Sequence, residues 1–168
     1  MTTPLYDLTV PSFLRGFQAM SAFLAKGEAF AAEKGIDPAD LLNARLIEDM
    51  SPLTYQVQRA SDAAKFTVVR IGGIENVAMA DEEASFADLQ ARIAKTVAFL
   101  NTVPRDAIDG KEDALVEIKL PNRTLEFTGR EYVLGFVLPN FYFHMTTAYA
   151  LLRHKGVPIG KMDFLGGV

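Results

Sequence analysis

TGREYVLGFVLPNFYFHMTTAYALLRHKG, residues 128–156, decides how this chain is read. It holds both histidines, His144 and His154, and has no formally charged side chain between Tyr132 and Leu152. A run of ~20 mostly apolar residues is long enough to span a bilayer. Pro139, Asn140, His144, Thr146 and Thr147 interrupt this one, and the other predicted helices offer it amphipathic faces, so it reads as the buried central helix of a bundle. Thr128 and Glu131 are spaced as a reciprocal capping box, and Gly156 and Pro158 stop the helix. Pro139 lacks the amide proton that would bond the carbonyl of Gly135, which predicts a kink or break there.

The inward stripe of this helix reads Val133, Val137, Asn140, His144, Thr147 and Leu151, placing three polar residues in an apolar face. The two histidines cannot share one metal on a continuous helix, because ten residues advance ~15 Å. His154, beside Arg153 and Lys155 in the last turn, suits the negative end of the helix dipole. His144 is either a ligand or a core histidine satisfied by a neighbour.

Working outward, Val116, Ile118 and Leu120, then Leu125 and Phe127, alternate with polar residues around Pro121-Asn122-Arg123 and predict a hairpin over about 114–127, laid across one end of the helices. Upstream, apolar periodicity predicts a helix from Ser12 to Lys34 and a short one over 38–45 capped by Asp37. A longer helix should run from Ser51-Pro52 to Ile71 with Gln56 on its apolar stripe, and another from Ser85 to Val103 with Gln90, Arg92 and Lys95 in water. The segment Gly73 to Ala84 reads as a crossing loop, and the tail after Gly156 as an extended flap. The fold class is therefore mainly α, a four-helix bundle with a small hairpin before the last long helix, in one domain over residues 1–168.

Composition removes several function classes. There are no cysteines, hence no thiolate zinc site and no thiol nucleophile. A net charge of -4 with mixed signs gives no broad basic field for nucleic acid. The amino terminus lacks a signal-peptide pattern, and neither a membrane nor a nucleic-acid partner is expected of this cytoplasmic reading. Among carboxylates, Asp62 lies three residues from both Arg59 and Lys65 and reads as a solvated ion pair, Glu131 is the capping partner, and Arg45 with Asp49, beside a turn, reads either as a structural pair or as the rim of a pocket. No phosphate loop, nucleophile elbow or metal-binding histidine pair is present, since the position four after His144 is Ala148. The candidate pocket is Gln56, Asn140, His144 and Thr147, with His144 as the tentative metal ligand and no catalytic residue assigned.

The segments YDLTVPSFLRGF (6–17), LLNARLIEDMSPLTYQVQRASDAAK (41–65), SFADLQARIAKTVAFL (85–100) and, above all, NFYFHMTTAYALLRHKGVPIG (140–160) resemble a bacterial family of unknown function near the DinB/YfiT-like metalloenzymes. The resemblance implies an up-down-down-up bundle, often dimeric, with a divalent metal on three histidines and, in some members, thiol-dependent transferase or isomerase chemistry. Carried over by position, only His144 matches a histidine of that triad, with Gln56 in the region of the first ligand and Ala148 in place of the third. The expectation is a small-molecule-binding or structural homologue with an incomplete triad. The alternative is a metal- or thiol-cofactor-dependent enzyme reorganised around His144. A homodimer joined through Phe136, Phe141, Tyr142 and Phe143 is compatible with either.

Overall fold

The computed structural model describes residues 3–166. Four long helices carry the architecture: α1 (Leu5–Lys34), α3 (Leu53–Gly72), α4 (Phe86–Leu100) and α6 (Leu138–His154). Around them lie a short α2 (Pro38–Leu42), an antiparallel hairpin of β1 (Leu115–Leu120) and β2 (Arg123–Thr128), a turn of helix α5 (Gly129–Glu131) leading through a π-helical stretch (Tyr132–Val137) into α6, and α7 (Lys161–Leu165).

Side-chain contacts fix the helix directions. Gln56 meets His144 while Arg70 meets Tyr132, so α3 and α6 are antiparallel. In the segment joining α3 to α4, Met79 lies by Ser61, Asp81 by Arg59 and Glu83 by Gln58. The chain thus retraces α3 before α4 begins, and α4 runs parallel to α3. Gly16 approaches Phe141 and Gly27 approaches Leu152, so α1 and α6 are parallel. This is the up-down-down-up bundle, mainly helical with the expected hairpin before its last long helix.

Each element has a local cause. Asp37 caps α2 on the amide of Ala39 and Ser85 caps α4 on that of Asp88. Gly73, at φ 64, ends α3 in the left-handed conformation. At the entry to the final helix the Glu131 carboxylate accepts from the Thr128 amide at 2.9 Å, and the Thr128 hydroxyl accepts from the Glu131 amide at 3.2 Å. Between them Gly129 presses against Lys111, whose carbonyl oxygen any Cβ at 129 would strike. The hairpin pairs Leu120 with Arg123 across a two-residue turn. Its Val116 and Ile118 are buried, and Phe127 packs on Tyr132 and Phe136.

Four expectations are corrected. First, α1 starts at Leu5 and passes through Pro11. The extra turns bury Leu5, Thr9 and Val10, and the Tyr6 amide donates to Asp109 at 2.9 Å, so packing outweighs the hydrogen bond that proline removes. Second, no break occurs at Pro139: it sits in the first turn of α6, where the π-helical stretch ends, so the helical path is continuous and the irregularity is the change of hydrogen-bond pattern just before it. Third, the tail folds back as α7, with Val157 and Ile159 buried and Phe164 against Tyr149, and Lys26 pairs with Asp163; Gly167 and Val168 lie outside the described residues. Fourth, Phe141, expected at an intermolecular face, is fully buried with its ring 5.0 Å from that of Phe13 and 5.3 Å from that of Phe17, whereas Phe143 is exposed. Among the described residues no helix is long and apolar enough to cross a membrane.

Candidate functional site

The α3–α6 seam holds a cavity of about 490 Å³. From α3 it is lined by Tyr55, Arg59, Asp62, Phe66 and Arg70, and from the final helix by Tyr132, Phe136, Asn140 and His144; Leu120 of the hairpin closes its rim. The hairpin therefore reaches one end of the seam, where a two-stranded element that is marginal alone packs on the helices.

At one end, Gln56 is 2% exposed and its Nε2–H donates to the Ser51 carbonyl at 2.9 Å. That orientation turns Oε1 toward His144, whose Nδ1 lies 2.8 Å away. An amide oxygen only accepts, so the proton between them belongs to Nδ1 and the neutral ring carries its lone pair on Nε2. Nε2 makes no hydrogen bond with the described residues. Burial, and secondarily the positive charge of Arg59, hold the imidazole pKa down at about 4, so the ring is uncharged at neutral pH.

At the other end, Arg70 Nη1 donates to the Tyr132 hydroxyl at 2.8 Å, and the guanidinium lies 4.8 Å from the Phe66 ring centre. Burial pushes the Tyr132 phenol pKa up against the opposing pull of Arg70, and the hydroxyl stays protonated. Between the two ends, Arg59 pairs with Asp62 at 3.1 Å and with Asp81.

Asp62, on the cavity wall, also belongs to a second polar system. It also takes Lys65 at 3.2 Å and Arg92 at 3.3 Å, and Arg92 reaches Asp81 at 3.0 Å and Glu83 at 2.8 Å. The side chain of Arg92 is 1% exposed, contrary to the sequence expectation that it stays in water. The Asp62 pair, expected to be solvated, is part of the same buried network. Its purpose is visible in its partners: Arg92 and Lys95 also bond the carbonyls of Ala80 and Ala78, fastening the crossing segment to α3 and α4.

The sequence-predicted residues divide accordingly. Asn140 and His144 line the cavity, and the buried Gln56 reaches it only through its bond to His144. Thr147 is buried, donates to the Phe143 carbonyl at 2.7 Å, and belongs to a neighbouring depression with Leu46 and Met50. His154 is exposed in the last turn of α6. The residues missed were Tyr55, Arg70 and Tyr132. Arg70 follows Gln56 by fourteen residues, almost four whole turns, so the same stripe that singled out Gln56 also pointed to it.

The donor set does not fit a three-histidine metal centre. Gln56 spends its oxygen on His144, Ala148 is fully buried in the core, and among the described residues no group of three His, Cys, Asp or Glu side chains is placed to hold a metal ion.

Against known proteins, the model of the family described as Domain of unknown function (DUF1993) matches residues 5–165. The chain belongs to the DUF1993 family. No curated protein matches it. Its fold is similar to the crystal structure of a DinB family member protein from Shewanella denitrificans, with a TM-score of 0.89 and 39% identity, over 98% of this chain and 93% of that one. This DUF1993 chain thus has a DinB-like fold in which the seam between α3 and α6, where the fold family's metal site was expected, carries a glutamine–histidine pair and two arginines.

Proposed function

We propose that this DUF1993 protein binds a small molecule in the α3–α6 cavity without a three-histidine metal centre. One observation carries the reading: His144 is held by Gln56 as a neutral ring with an unengaged Nε2, on the wall of a cavity of about 490 Å³. A core histidine satisfied only for packing would have both nitrogens sealed or partnered. Here one nitrogen is committed and the other left as an acceptor. Aromatic walls from Tyr55, Phe66 and Phe136 with a few convergent polar groups complete the usual chemistry of a ligand pocket.

The reading is tested by ligand-observed NMR with a fragment library on the purified protein and on Phe136→Trp, which narrows the cavity. Fragments that bind the native protein and are displaced by the substitution support it, whereas a native protein that binds no fragment at the cavity contradicts it. A second reading, an enzyme reorganised around a metal at His144, rests on the same free Nε2. Stoichiometric zinc or nickel in the purified protein, lost in His144→Ala, would favour it over the first.

A further inference from the structure

The cavity has a chemical polarity that the histidine alone does not reveal. Its charged lining consists of Arg59, Asp62 and Arg70. Arg59 is matched by Asp62 and Asp81, and Asp62 is shared further with Lys65 and Arg92. Across this whole network three cations, Arg59, Lys65 and Arg92, face three anions, Asp62, Asp81 and Glu83. Arg70 stands outside that balance: among the described residues no carboxylate comes within ion-pair distance of it. Of its nitrogens only Nη1 is engaged, by the Tyr132 hydroxyl, which leaves the Nε–Nη2 edge free. That edge presents two parallel N–H groups at the spacing of a carboxylate's oxygens.

Arg70 is also positioned rather than loose. The Phe66 ring flanks its guanidinium and the buried Tyr132 hydroxyl fixes one nitrogen, so little side-chain freedom remains to be lost on binding. Along α3, Arg70 lies fourteen residues from Gln56, or ~21 Å at the standard rise. The positive group and the His144 acceptor therefore stand toward opposite ends of an elongated, aromatic-walled seam.

We propose that the ligand is an extended organic acid whose carboxylate pairs with the free edge of Arg70, whose apolar middle lies along Phe66 and Phe136, and whose far end donates a hydrogen bond to His144 Nε2. This rests on the cavity being a binding site. The Arg70 charge supplies the selectivity, because a neutral isostere leaves the guanidinium in the seam without an anion.

Matched probes separate the two claims. 4-Hydroxyphenylacetate, 4-(4-hydroxyphenyl)butyrate and 6-(4-hydroxyphenyl)hexanoate, whose phenol can donate to His144, are titrated beside their primary amides, following the ring signals of Tyr132, Phe136 and His144 by NMR in the full chain. The acids are expected to bind at least about tenfold more tightly than the amides, the size expected of a charged hydrogen-bond pair. Arg70→Met should erase that preference, and Arg70→Lys should retain only part of it, since an ammonium keeps the charge without the fork. His144→Ala should leave the preference for acids intact. Acids and amides binding equally would overturn the carboxylate assignment while leaving the cavity as a binding site. Failure of both series to move the cavity signals would overturn both. Retained near-native helical circular dichroism in Arg70→Met shows that a lost preference is not lost folding.

Discussion

α3 carries two partly buried polar systems on neighbouring faces, and they are built on opposite principles. Toward α4, Asp62, Lys65, Arg92, Asp81 and Glu83 form a network with its charges matched, and Ser61 and Thr96 share a hydroxyl bridge at 2.6 Å. Toward α6, the polar groups are incomplete among the described residues: Arg70 has no carboxylate partner and His144 has one nitrogen unengaged. Buried charge is costly unless paired, so the first arrangement is what a structural fastening requires. The second would be a poor fastening. The difference teaches that burial of polar groups in this bundle does not by itself distinguish a fastening from a candidate site, and that the balance of charge separates the two systems.

If that contrast is right, Arg92→Met should produce the largest effect on stability. It takes from Glu83 its only cation and leaves Arg59 and Lys65 to face three anions, and breaking a buried pair in this way costs up to about 3–5 kcal/mol. Urea denaturation should show a midpoint reduced to match, with acid-probe binding in the seam unchanged once the protein is folded. Loss of probe binding with unaltered stability would invert the comparison.

Gln56→Leu comes next. It removes the His144 acceptor and leaves the Ser51 carbonyl without its donor, costing about 1–3 kcal/mol. Unlike the Arg92 substitution it should also change the His144 ring signals, because the constraint on the Nδ1 proton is gone. Unchanged ring signals would mean that Gln56 does not set the tautomer.

The two systems should respond differently to acid. His144 has a folded pKa of about 4, below its ordinary value of 6.5, because burial disfavours the imidazolium. Between those values the unfolded chain binds the proton more readily than the folded one, so this contribution to stability is complete above about pH 6.5 and is lost as the pH falls through about 4. His144→Gln should flatten that slope in urea midpoints measured across the window. The Glu83 carboxylate is held below its ordinary pKa because hydrogen bonds from Arg92 and Gln58 together outweigh its burial. Its contribution survives to lower pH, and is lost only as the pH falls below the ordinary carboxylate range through that depressed value. The smallest effect is expected of Arg59→Gln, which removes the secondary cause of the His144 shift and should raise its pKa slightly in an NMR titration. No change would place the shift in burial alone.

Periodicity was enough to locate the four long helices and the hairpin, because each buries one continuous apolar stripe. It failed where tertiary contacts decide. Pro11 argued for a later start to α1, but the burial of Leu5, Thr9 and Val10 extended it. The α7 turn is too short for a periodic signal, and the Lys26–Asp163 pair ties it to α1. Arg92 was misread for a related reason: a charged residue on an amphipathic helix is ordinarily solvated, and the carboxylates that bury this one come from α3 and from a segment with no period of its own. At the site, Gln56, Asn140 and His144 stood out because polar residues interrupt apolar stripes. Thr147 met the same criterion, yet a bond to its own helix satisfies it. Arg70 was passed over because an arginine near a helix end needs no explanation until its missing partner is seen.

The central claim is that His144 is a neutral ring whose proton is on Nδ1 and whose Nε2 is free to accept. The most direct measurement is a two-bond 1H–15N correlation spectrum of the His144 ring in the purified protein at neutral pH. The account predicts a protonated, pyrrole-type Nδ1 and a bare, pyridine-type Nε2. A proton on Nε2, a charged ring, or a metal-bound nitrogen would contradict it.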